Sequence, residues 1–308
     1  MEGSRAKDFG KELGQVHEGI ITLRGLGLTP EGWQKMATDT ELAKKVVELI
    51  EGQKEVWLER ILAREKACHI AFFGQEFDLT DFAATLKKYG ESKIRFWQKL
   101  RLEPGYLPPI PLSQSDGYQG WIRPEKWFYD MVAAGKILRQ IASELVSVKE
   151  VKFDGITVLI DTRLKPAYKD GKQMWADDGA FGSIIERLRK ESRVARYEYG
   201  RQSSRFGVSA DEWEAGIRPA WAEKLQLKPE QLRLETAEEA NIIPQLYLYM
   251  PRKADGRTNT SVWYEQYFEG RGLRLYGGYS DHGGLANVYD DAAGNHWYYR
   301  SLRPLAVL

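Results

Sequence analysis

The sequence is poor in cysteine and carries almost no excess of charge of either sign. Cys68 is the one cysteine among 308 residues, so an internal disulfide is excluded and no CxxC metal motif exists. Lysine and arginine number 45 against 44 aspartate and glutamate residues, which leaves a net charge of +1. This balance gives no global electrostatic reason to expect a nucleic-acid partner. We expect Cys68 to be a small hydrophobic residue on a helix.

Long apolar runs are missing as well. The opening residues, MEGSRAKDFG, lack the apolar core of a signal peptide, and no window is long and apolar enough to span a membrane. We therefore expect a cytoplasmic protein with no membrane span. Export by a route that needs no signal peptide stays open.

Known catalytic and phosphate-binding motifs are also absent from the sequence. It contains no GxSxG nucleophile elbow and no HExxH zinc motif. The stretch GRGLRLYGG (Gly270–Gly278) is rich in glycine but lacks the spacing and the lysine of a phosphate-binding loop. We expect neither an enzyme nor a bound cofactor.

Two histidines near the C-terminus are the best candidates for metal ligands. His282 and His296 lie 14 residues apart, close in sequence to Asp281, Asp290 and Asp291. No HxxxH or HExxH spacing places two of these ligands on one helix face. We expect no metal at this position.

Capping signals predict helices in both halves of the chain. Thr38 with Glu41 three residues later forms a capping-box pattern, and Gly52 is the expected end of the helix that follows. Ser209 with Glu212 gives a second capping box. A helix-turn-helix DNA-binding unit is the alternative for the helical first hundred residues, although no cluster of lysine and arginine marks a recognition helix.

Proline and glycine accumulate directly after this helical region. Four prolines between residues 104 and 111 block helix continuation and favour an extended chain. We place a linker at residues 104–119, between a helical N-terminal domain at 1–103 and a second domain at 120–308. The β-branched run GITVLID (Gly155–Asp161) predicts a strand in the second domain, near amphipathic helices. The predicted fold class is α+β.

The composition changes near the C-terminus. From Tyr279 to Ser301, 13 of 23 residues are Tyr, Ser, Asp, His or Asn, and no Lys, Glu, Gln or Met occurs between Tyr279 and the end. The first five residue types can all be written by changing the first two bases of an AAY codon for asparagine. Codons for the four missing types end in a purine. The bias indicates adenine-directed mutagenesis of asparagine codons.

Three segments of the second domain resemble the formylglycine-generating enzymes, which have a C-type-lectin fold. They are similar in order and spacing to the RLPTEAEWE, RGGSW and closing GFR-plus-apolar segments of that family, and they read RLETAEEAN (Arg233–Asn241), LYGGYS (Leu275–Ser280) and SLRPLAVL (Ser301–Leu308). The run RLYGGYSDHGGLANV at residues 274–288 resembles the RLxGGxSDxGGLAxV run of another group on this fold, the variable proteins of diversity-generating retroelements. The resemblance covers roughly residues 120–308.

The resemblance implies a ligand-binding protein of the receptor-binding type, with a hypervariable segment at about residues 279–301 on a C-type-lectin-like domain. Its ligand is unknown, and a protein or another cell-surface molecule is expected. Tyrosine and tryptophan offer large contact areas at low entropic cost, and Ser, Asn and Gly adapt their hydrogen bonds, as in antibody paratopes. The implied ligand contacts are Tyr279, Asp281, His282, Asn287, Tyr289, Asp290, Asp291, Asn295, His296, Trp297, Tyr298 and Tyr299.

The sequence departs from the family pattern at a few positions, and other interpretations stay open. Ser301 and Leu302 replace the usual Gly and Phe before Arg303, and Trp297 cannot arise from an AAY codon by adenine changes alone. A non-catalytic scaffold, or an ordinary exposed strand–loop–strand, are alternatives. An enzyme of this fold is a further alternative, although the domain lacks the cysteine pair of formylglycine-generating enzymes and the histidine cluster of the related sulfoxide synthases. Gly277, Gly278 and Arg303 are the expected scaffold positions.

Overall fold

The structure is a computed structural model that describes residues 29–112, 122–166, 178–247, 249–250, 259–278 and 287–308. Helices combine with antiparallel sheets in these ranges, so the chain has the predicted mixed α+β fold. By its internal contacts the chain divides into two compact units, Met1–Trp57 and Leu58–Leu308.

The described part of the first unit contains α1 (Pro30–Thr38) and the beginning of α2 (Thr40–Phe73). The Asp39 carboxylate accepts hydrogen bonds from two backbone N–H groups in the first turn of α2, at 3.1 and 3.0 Å. Asp39 therefore caps this helix, whereas the hydroxyl of the predicted cap, Thr38, donates to a carbonyl within α1. The helix also continues through Gly52, because a glycine inside a helix costs only about 1 kcal/mol relative to alanine.

The second unit contains the end of α2 and all the remaining elements. Its further helices are α3 (Thr80–Tyr89), α4 (Glu91–Lys99), α5 (Lys126–Ala133), α6 (Gly179–Lys190), α7 (Ala210–Glu212), α8 (Arg218–Leu225) and α9 (Ala237–Leu246), with a π-helical turn at Trp213–Ile217 and a 3-10 turn at Pro229–Gln231. Its strands are β1 (Leu102–Leu107), β2 (Ile137–Ile141), β3 (Glu144–Ser147), β4 (Ile156–Asp161), β5 (Leu232–Leu234), β6 (Ser261–Phe268), β7 (Gly270–Gly277), β8 (Val288–Ala292), β9 (Arg300–Ser301) and β10 (Pro304–Val307). The predicted capping box of Ser209 and Glu212 is confirmed, with both of its hydrogen bonds present at the start of α7.

A four-stranded antiparallel sheet joins distant parts of the second unit, in the order β1–β4–β10–β5. Strand β4 is the predicted GITVLID strand, and it pairs with β1 on one side and with β10 on the other. Leu305 of β10 and Ile160 of β4 lie opposite each other and are fully buried. Leu305 and Ala306 of β10 are therefore part of the core, whereas Val307 and Leu308 are half-buried.

The second sheet carries Gly277, at the end of β7, and strands from the described part of the predicted hypervariable segment. Its strands follow the order β3–β2–β6–β7–β8, and the short strand β9 pairs in parallel with β6. Strand β8 is an edge strand in the part of the chain that the structure describes, and Tyr276 of β7 lies opposite Tyr289 of β8. Residues 288–292 of β8 thus lie at one edge of this sheet, and the chain then returns to pair β9 with the interior strand β6 before it enters β10.

The division of the chain differs from the predicted domain boundary and corrects it. Strand β1 lies mainly in the predicted linker at 104–119, and all six of its residues pair with β4. Pro104 is tolerated because β1 is an edge strand, where a missing N–H group removes no hydrogen bond between strands. Residues 58–103 likewise belong to the second unit, and Glu65 in α2 accepts a hydrogen bond from the backbone of Tyr106 at 2.7 Å.

We expect the buried contact between α2 and the core to contribute measurably to stability. Glu65 is fully buried and also accepts a hydrogen bond from the hydroxyl of Tyr247. Replacing Tyr247→Phe should lower the free energy of unfolding by about 1–3 kcal/mol, because a buried carboxylate loses a donor. The control Tyr199→Phe alters a tyrosine that is 51% exposed, and it should change stability by less than about 0.5 kcal/mol. Equal effects of the two changes in urea unfolding would contradict this assignment.

Candidate ligand-binding surface

The structure describes nine of the twelve predicted contact residues. Tyr279, Asp281 and His282 lie outside the described residues. The other nine lie just before and on β8, and in the loop between β8 and β9. They therefore belong to one continuous stretch of chain at the edge of the second sheet.

Asn287 holds the end of β7 rather than pointing freely outward. Its side-chain oxygen accepts a hydrogen bond from the backbone N–H of Gly278 at 3.0 Å. The carbonyl of Gly278 accepts one from Lys165, whose ammonium also bonds to the carbonyl of Thr260 at 2.9 Å. Asn287, predicted as a ligand contact, thus stabilises the frame on which the surface lies.

The two motif glycines allow close approach of the backbone at the same place. A Cβ atom on Gly277 would lie 2.1 Å from the carbonyl oxygen of Asn287 and 2.5 Å from the hydroxyl of Tyr264. Gly278 has a φ angle of +83°, which L side chains rarely adopt. Both observations support the interpretation of these glycines as scaffold positions.

Asp291 organises the loop between β8 and β9. Its carboxylate accepts hydrogen bonds from Asn295 Nδ2 at 2.7 Å, Trp297 Nε1 at 2.6 Å and Arg300 Nη1 at 2.8 Å. Partial burial raises the pKa of Asp291, but these hydrogen bonds outweigh it and lower the pKa overall. Asp291 and Asn295 were predicted to contact ligand; in the structure Asp291 holds Trp297, and Asn295 donates to Asp291.

Arg300 supports this surface and was missed by the sequence analysis. Its side chain is only 1% exposed, and its guanidinium carbon lies 3.4 Å from the ring centre of Tyr276 and 4.2 Å from that of Trp263. Such stacking is favourable for a cation over an aromatic face. Burial lowers the pKa of Arg300, whereas the ion pair with Asp291 opposes this change. The buried cation therefore joins the loop to the second sheet.

Exposed aromatic rings cover the outer side of this frame. Tyr289 is 48% exposed and Trp297 is 39% exposed. The ring centres of Trp297 and Tyr299 are 5.8 Å apart, and those of Tyr299 and Tyr298 are 5.0 Å apart. Of the implied ligand contacts, Tyr289 and Trp297 thus lie at the surface, and Tyr298 and Tyr299 are half-buried.

A further tyrosine from another part of the chain joins this row. Tyr199 is 51% exposed, and its ring centre lies 5.1 Å from that of Tyr298. The neighbouring Tyr197 donates a hydrogen bond from its hydroxyl to the carbonyl of Tyr298 at 2.9 Å. No local motif marks Tyr199, which lies about a hundred residues earlier, so sequence reasoning had no signal for it.

His296 is paired and Asp290 faces inward, so neither is a free contact. His296 Nε2 lies 3.0 Å from Glu212, the residue that also forms the capping box of α7. Hydrogen bonding to Glu212 raises the pKa of His296, against a smaller effect of burial. Asp290 is half-buried and lies opposite the fully buried Leu275, on the face of β8 that does not carry Tyr289.

Arg303 is a scaffold residue, as predicted. It is 8% exposed, donates to the carbonyl of Asp161 at 3.0 Å, and lies 3.3 Å from the carboxylate of Glu235. Asp161 in turn accepts hydrogen bonds from Arg163 at 2.9 Å and Arg205 at 2.7 Å. These buried charges lie directly before β10 and at the end of β4.

The described residues contain neither a cluster of potential metal ligands nor a helix that could cross a membrane. No group of three or more His, Cys, Asp or Glu side chains able to hold a metal ion is found among residues 29–112, 122–166, 178–247, 249–250, 259–278 and 287–308. Over the same part of the chain, no helix has the length and apolar character needed to cross a membrane. The described surface offers aromatic and polar side chains for non-covalent contact.

Comparisons with known proteins give little further information. No model of a protein family matches this chain, and no curated protein matches it either. Among solved structures, the chain is similar to one described as the crystal structure of CarF, with 10% sequence identity and a TM-score of 0.36 over 68% of this chain and 99% of that chain. A likeness of this size carries no assignment of fold family or function.

We expect Asp291 to be needed for folding and Tyr289 to be dispensable. Asp291→Ala should lower the free energy of unfolding by about 2 kcal/mol or more, because Arg300 loses its carboxylate partner while it stays buried. Tyr289→Ala, on the same face of β8, should change stability by less than about 0.5 kcal/mol because the ring is exposed. Thermal and urea unfolding of both variants would test this, and a larger loss for Tyr289→Ala would contradict it.

The pair of His296 and Glu212 predicts a dependence of stability on pH. Because the pKa of His296 is raised in the folded state, its contribution is fully present below about pH 6.5, the usual histidine value, and is lost as pH rises through the raised pKa. The stability difference between the wild type and His296→Ala should therefore shrink from pH 6 towards alkaline pH. A difference that stays constant over thermal melts at this series of pH values would refute the pairing.

Proposed function

We propose that the surface formed by Tyr199, Tyr289, Trp297, Tyr298 and Tyr299, called the aromatic surface below, binds a macromolecular ligand. In this proposal the protein is of the receptor-binding type, and its surface is diversified by a retroelement on a C-type-lectin-like domain. The rings are exposed or half-buried; those of Tyr199, Tyr298, Tyr299 and Trp297 follow one another in contact, and Tyr289 packs on Tyr276 in the neighbouring strand. Rigid aromatic side chains at a surface are typical of interface hot spots.

The observation that carries the proposal is that exposed aromatic residues and buried residues that hold the chain occur close together, within the segment 287–301 and the strand β10 that follows it. Tyr289 and Trp297 face solvent, whereas Arg300 and Leu305 are buried and hold the segment to the two sheets. Residue types at the exposed positions can then change without loss of the core. This separation is what a diversified binding surface requires, and an ordinary exposed loop does not require it.

The structure also supports a smaller set of contacts than the sequence predicted. Asn287, Asp291 and Asn295 form hydrogen bonds that hold the backbone or Trp297, and His296 pairs with Glu212. A substitution at Asp291 would remove the partner of Arg300. We therefore assign ligand contact to the aromatic surface and positioning roles to these polar residues.

The alternatives are a non-catalytic scaffold or interaction protein and an enzyme of the formylglycine-generating-enzyme fold. A scaffold would present the aromatic surface to one fixed partner, so that these positions would be constant among individual cells. An enzyme would need a catalytic group within reach of the surface. The lone cysteine, Cys68, is buried in α2 and belongs to the core, as predicted from the sequence.

Deep sequencing of the gene in populations of its host would test the proposal without any known ligand. We expect substitutions to concentrate at adenines of the codons for residues 279–299, with a reverse-transcriptase gene and a near-copy of this segment with asparagine codons close by. Codon 291 should keep aspartate among functional copies, because Asp291 pairs with the buried Arg300. Codon 199 lies outside the segment and should stay constant.

One result would contradict the proposal as a whole, and another would contradict only the role assigned to Asp291. Uniform sequences across codons 279–299 in all cells would favour a scaffold with one partner. Free variation at codon 291, with folded protein retained, would contradict the positioning role of Asp291 while leaving the diversification itself supported.

A further inference from the structure

Glu235 is a buried carboxylate whose charge is poorly compensated. It lies between β5 and α9 and is 1% exposed. Among the described residues, neither of its carboxylate oxygens receives a hydrogen bond. The nitrogen Nε of Arg303 lies 3.3 Å from one of these oxygens, in an ion pair without hydrogen-bond geometry.

The cations near Glu235 are engaged by other groups. Arg303 donates to the carbonyl of Asp161 at 3.0 Å, and Arg233 forms two hydrogen bonds of 2.6 Å with Glu239. The charged and titratable groups that face Glu235 come from every element around it: Arg303 before β10, Asp161 at the end of β4, Arg233 in β5, Glu239 in α9 and Tyr264 in β6.

Glu239 shows what a compensated carboxylate looks like in the same place. It is buried as Glu235 is, but it accepts hydrogen bonds from Arg233 and from the backbone of Thr236. Burial raises the pKa of Glu239, yet these partners outweigh it and lower the pKa overall. Glu235 and Glu239 therefore differ in their hydrogen-bond partners, whereas both are buried.

Glu235 lacks such partners, so burial has the larger effect. Burial raises its pKa to about 7; Arg303 opposes the change, and the charges of Glu239 and Asp161 add to it. An ionised carboxylate without hydrogen bonds is costly in the interior, whereas the neutral acid is much less so. The proton on Glu235 is therefore part of the stable folded state at mildly acidic pH.

We propose that Glu235 is a proton-dependent switch in the scaffold, which holds the last strand firmly when protonated and weakens its attachment when ionised. The position favours this role because the backbone N–H of Glu235 bonds to the carbonyl of Arg303 at 3.3 Å, directly before β10. The charge of the ionised carboxylate, which has an ion pair but no hydrogen bond, thus appears where β10 joins β5. This inference does not depend on the proposed ligand-binding function.

The direction in which pH changes the stability of the folded chain follows from proton binding to Glu235. Between about pH 4.5, the ordinary value for glutamate, and about pH 7, the folded chain keeps a proton that the unfolded chain has released. The equilibrium constant for folding contributed by Glu235 then falls roughly tenfold for each pH unit in this window. Stability is lost as pH rises, which is opposite to the behaviour of an ion-paired carboxylate.

Urea unfolding of the full chain and of Glu235→Gln between pH 5 and pH 8 tests the switch. The two proteins should be similar in stability at pH 5. At pH 8 the folding constant of the variant should exceed that of the wild type by tenfold or more, because the wild type has by then lost the stabilising effect of one bound proton. Other titrating groups are present in both proteins and cancel in the difference. Glu144→Gln, at an exposed position in β3, is the control and should follow the wild type at every pH.

Parallel pH profiles of the wild type and Glu235→Gln would overturn the proposal. If the variant fails to fold, the wild type alone decides the question by carbon NMR of selectively labelled glutamate carboxyl groups. Titration near pH 7 of the carboxyl resonance assigned to Glu235 through its backbone connectivity would support the switch; the assignment is needed because burial also raises the pKa values of Glu238 and Glu265. Titration of every glutamate below pH 6 would overturn it.

Discussion

The pairing of β10 with β4 on one side and β5 on the other is the constraint on which the second unit depends. Because the last four-residue strand is an interior strand, this sheet is complete only when the end of the chain is in place. The segment at residues 287–301 lies between β7 and β10, so both of its ends are attached to the core. Arg300, close to the C-terminal end of this segment, adds a third attachment through its contacts with the rings of Tyr276 and Trp263. The buried Arg300 and its carboxylate partner Asp291 therefore belong to the frame of this segment, whereas the ring of Tyr289 is exposed.

The parts of the fold that local sequence determines were predictable. The β-branched run of β4 has one stable local conformation beside a core, and it is a buried strand in the structure. The capping box at Ser209 and Glu212 satisfies backbone groups within four residues, so its effect does not depend on distant packing. The apolar end of the chain, with Leu305 fully buried, follows from the hydrophobic effect. The resemblance of residues 274–288 to a known run of variable proteins remains a prediction.

The features that the sequence did not reveal depend on contacts between distant residues. Pro104 and its neighbours look like a linker because a proline ends most regular elements, yet β1 is an edge strand that needs no N–H group there. Asp291 looked like an exposed contact, since nothing local shows that Arg300 is buried beside it. Tyr199 reaches the aromatic surface through a fold that places it against Tyr298, about a hundred residues away. Long-range packing, which residue types alone do not encode, decided all three.

The contact between the end of β7 and Asn287 also limits how a substitution there can be compensated. The backbone N–H of Gly278 donates to the Asn287 side chain at 3.0 Å, and the carbonyl of Gly278 accepts from Lys165. A Cβ atom on Gly277 would lie 2.1 Å from the backbone carbonyl oxygen of Asn287. Because that oxygen belongs to the backbone, no change of side chain at position 287 can make room for it. A larger residue at position 277 therefore requires β7 and the residue before β8 to move apart, and no second substitution at position 287 restores the original geometry.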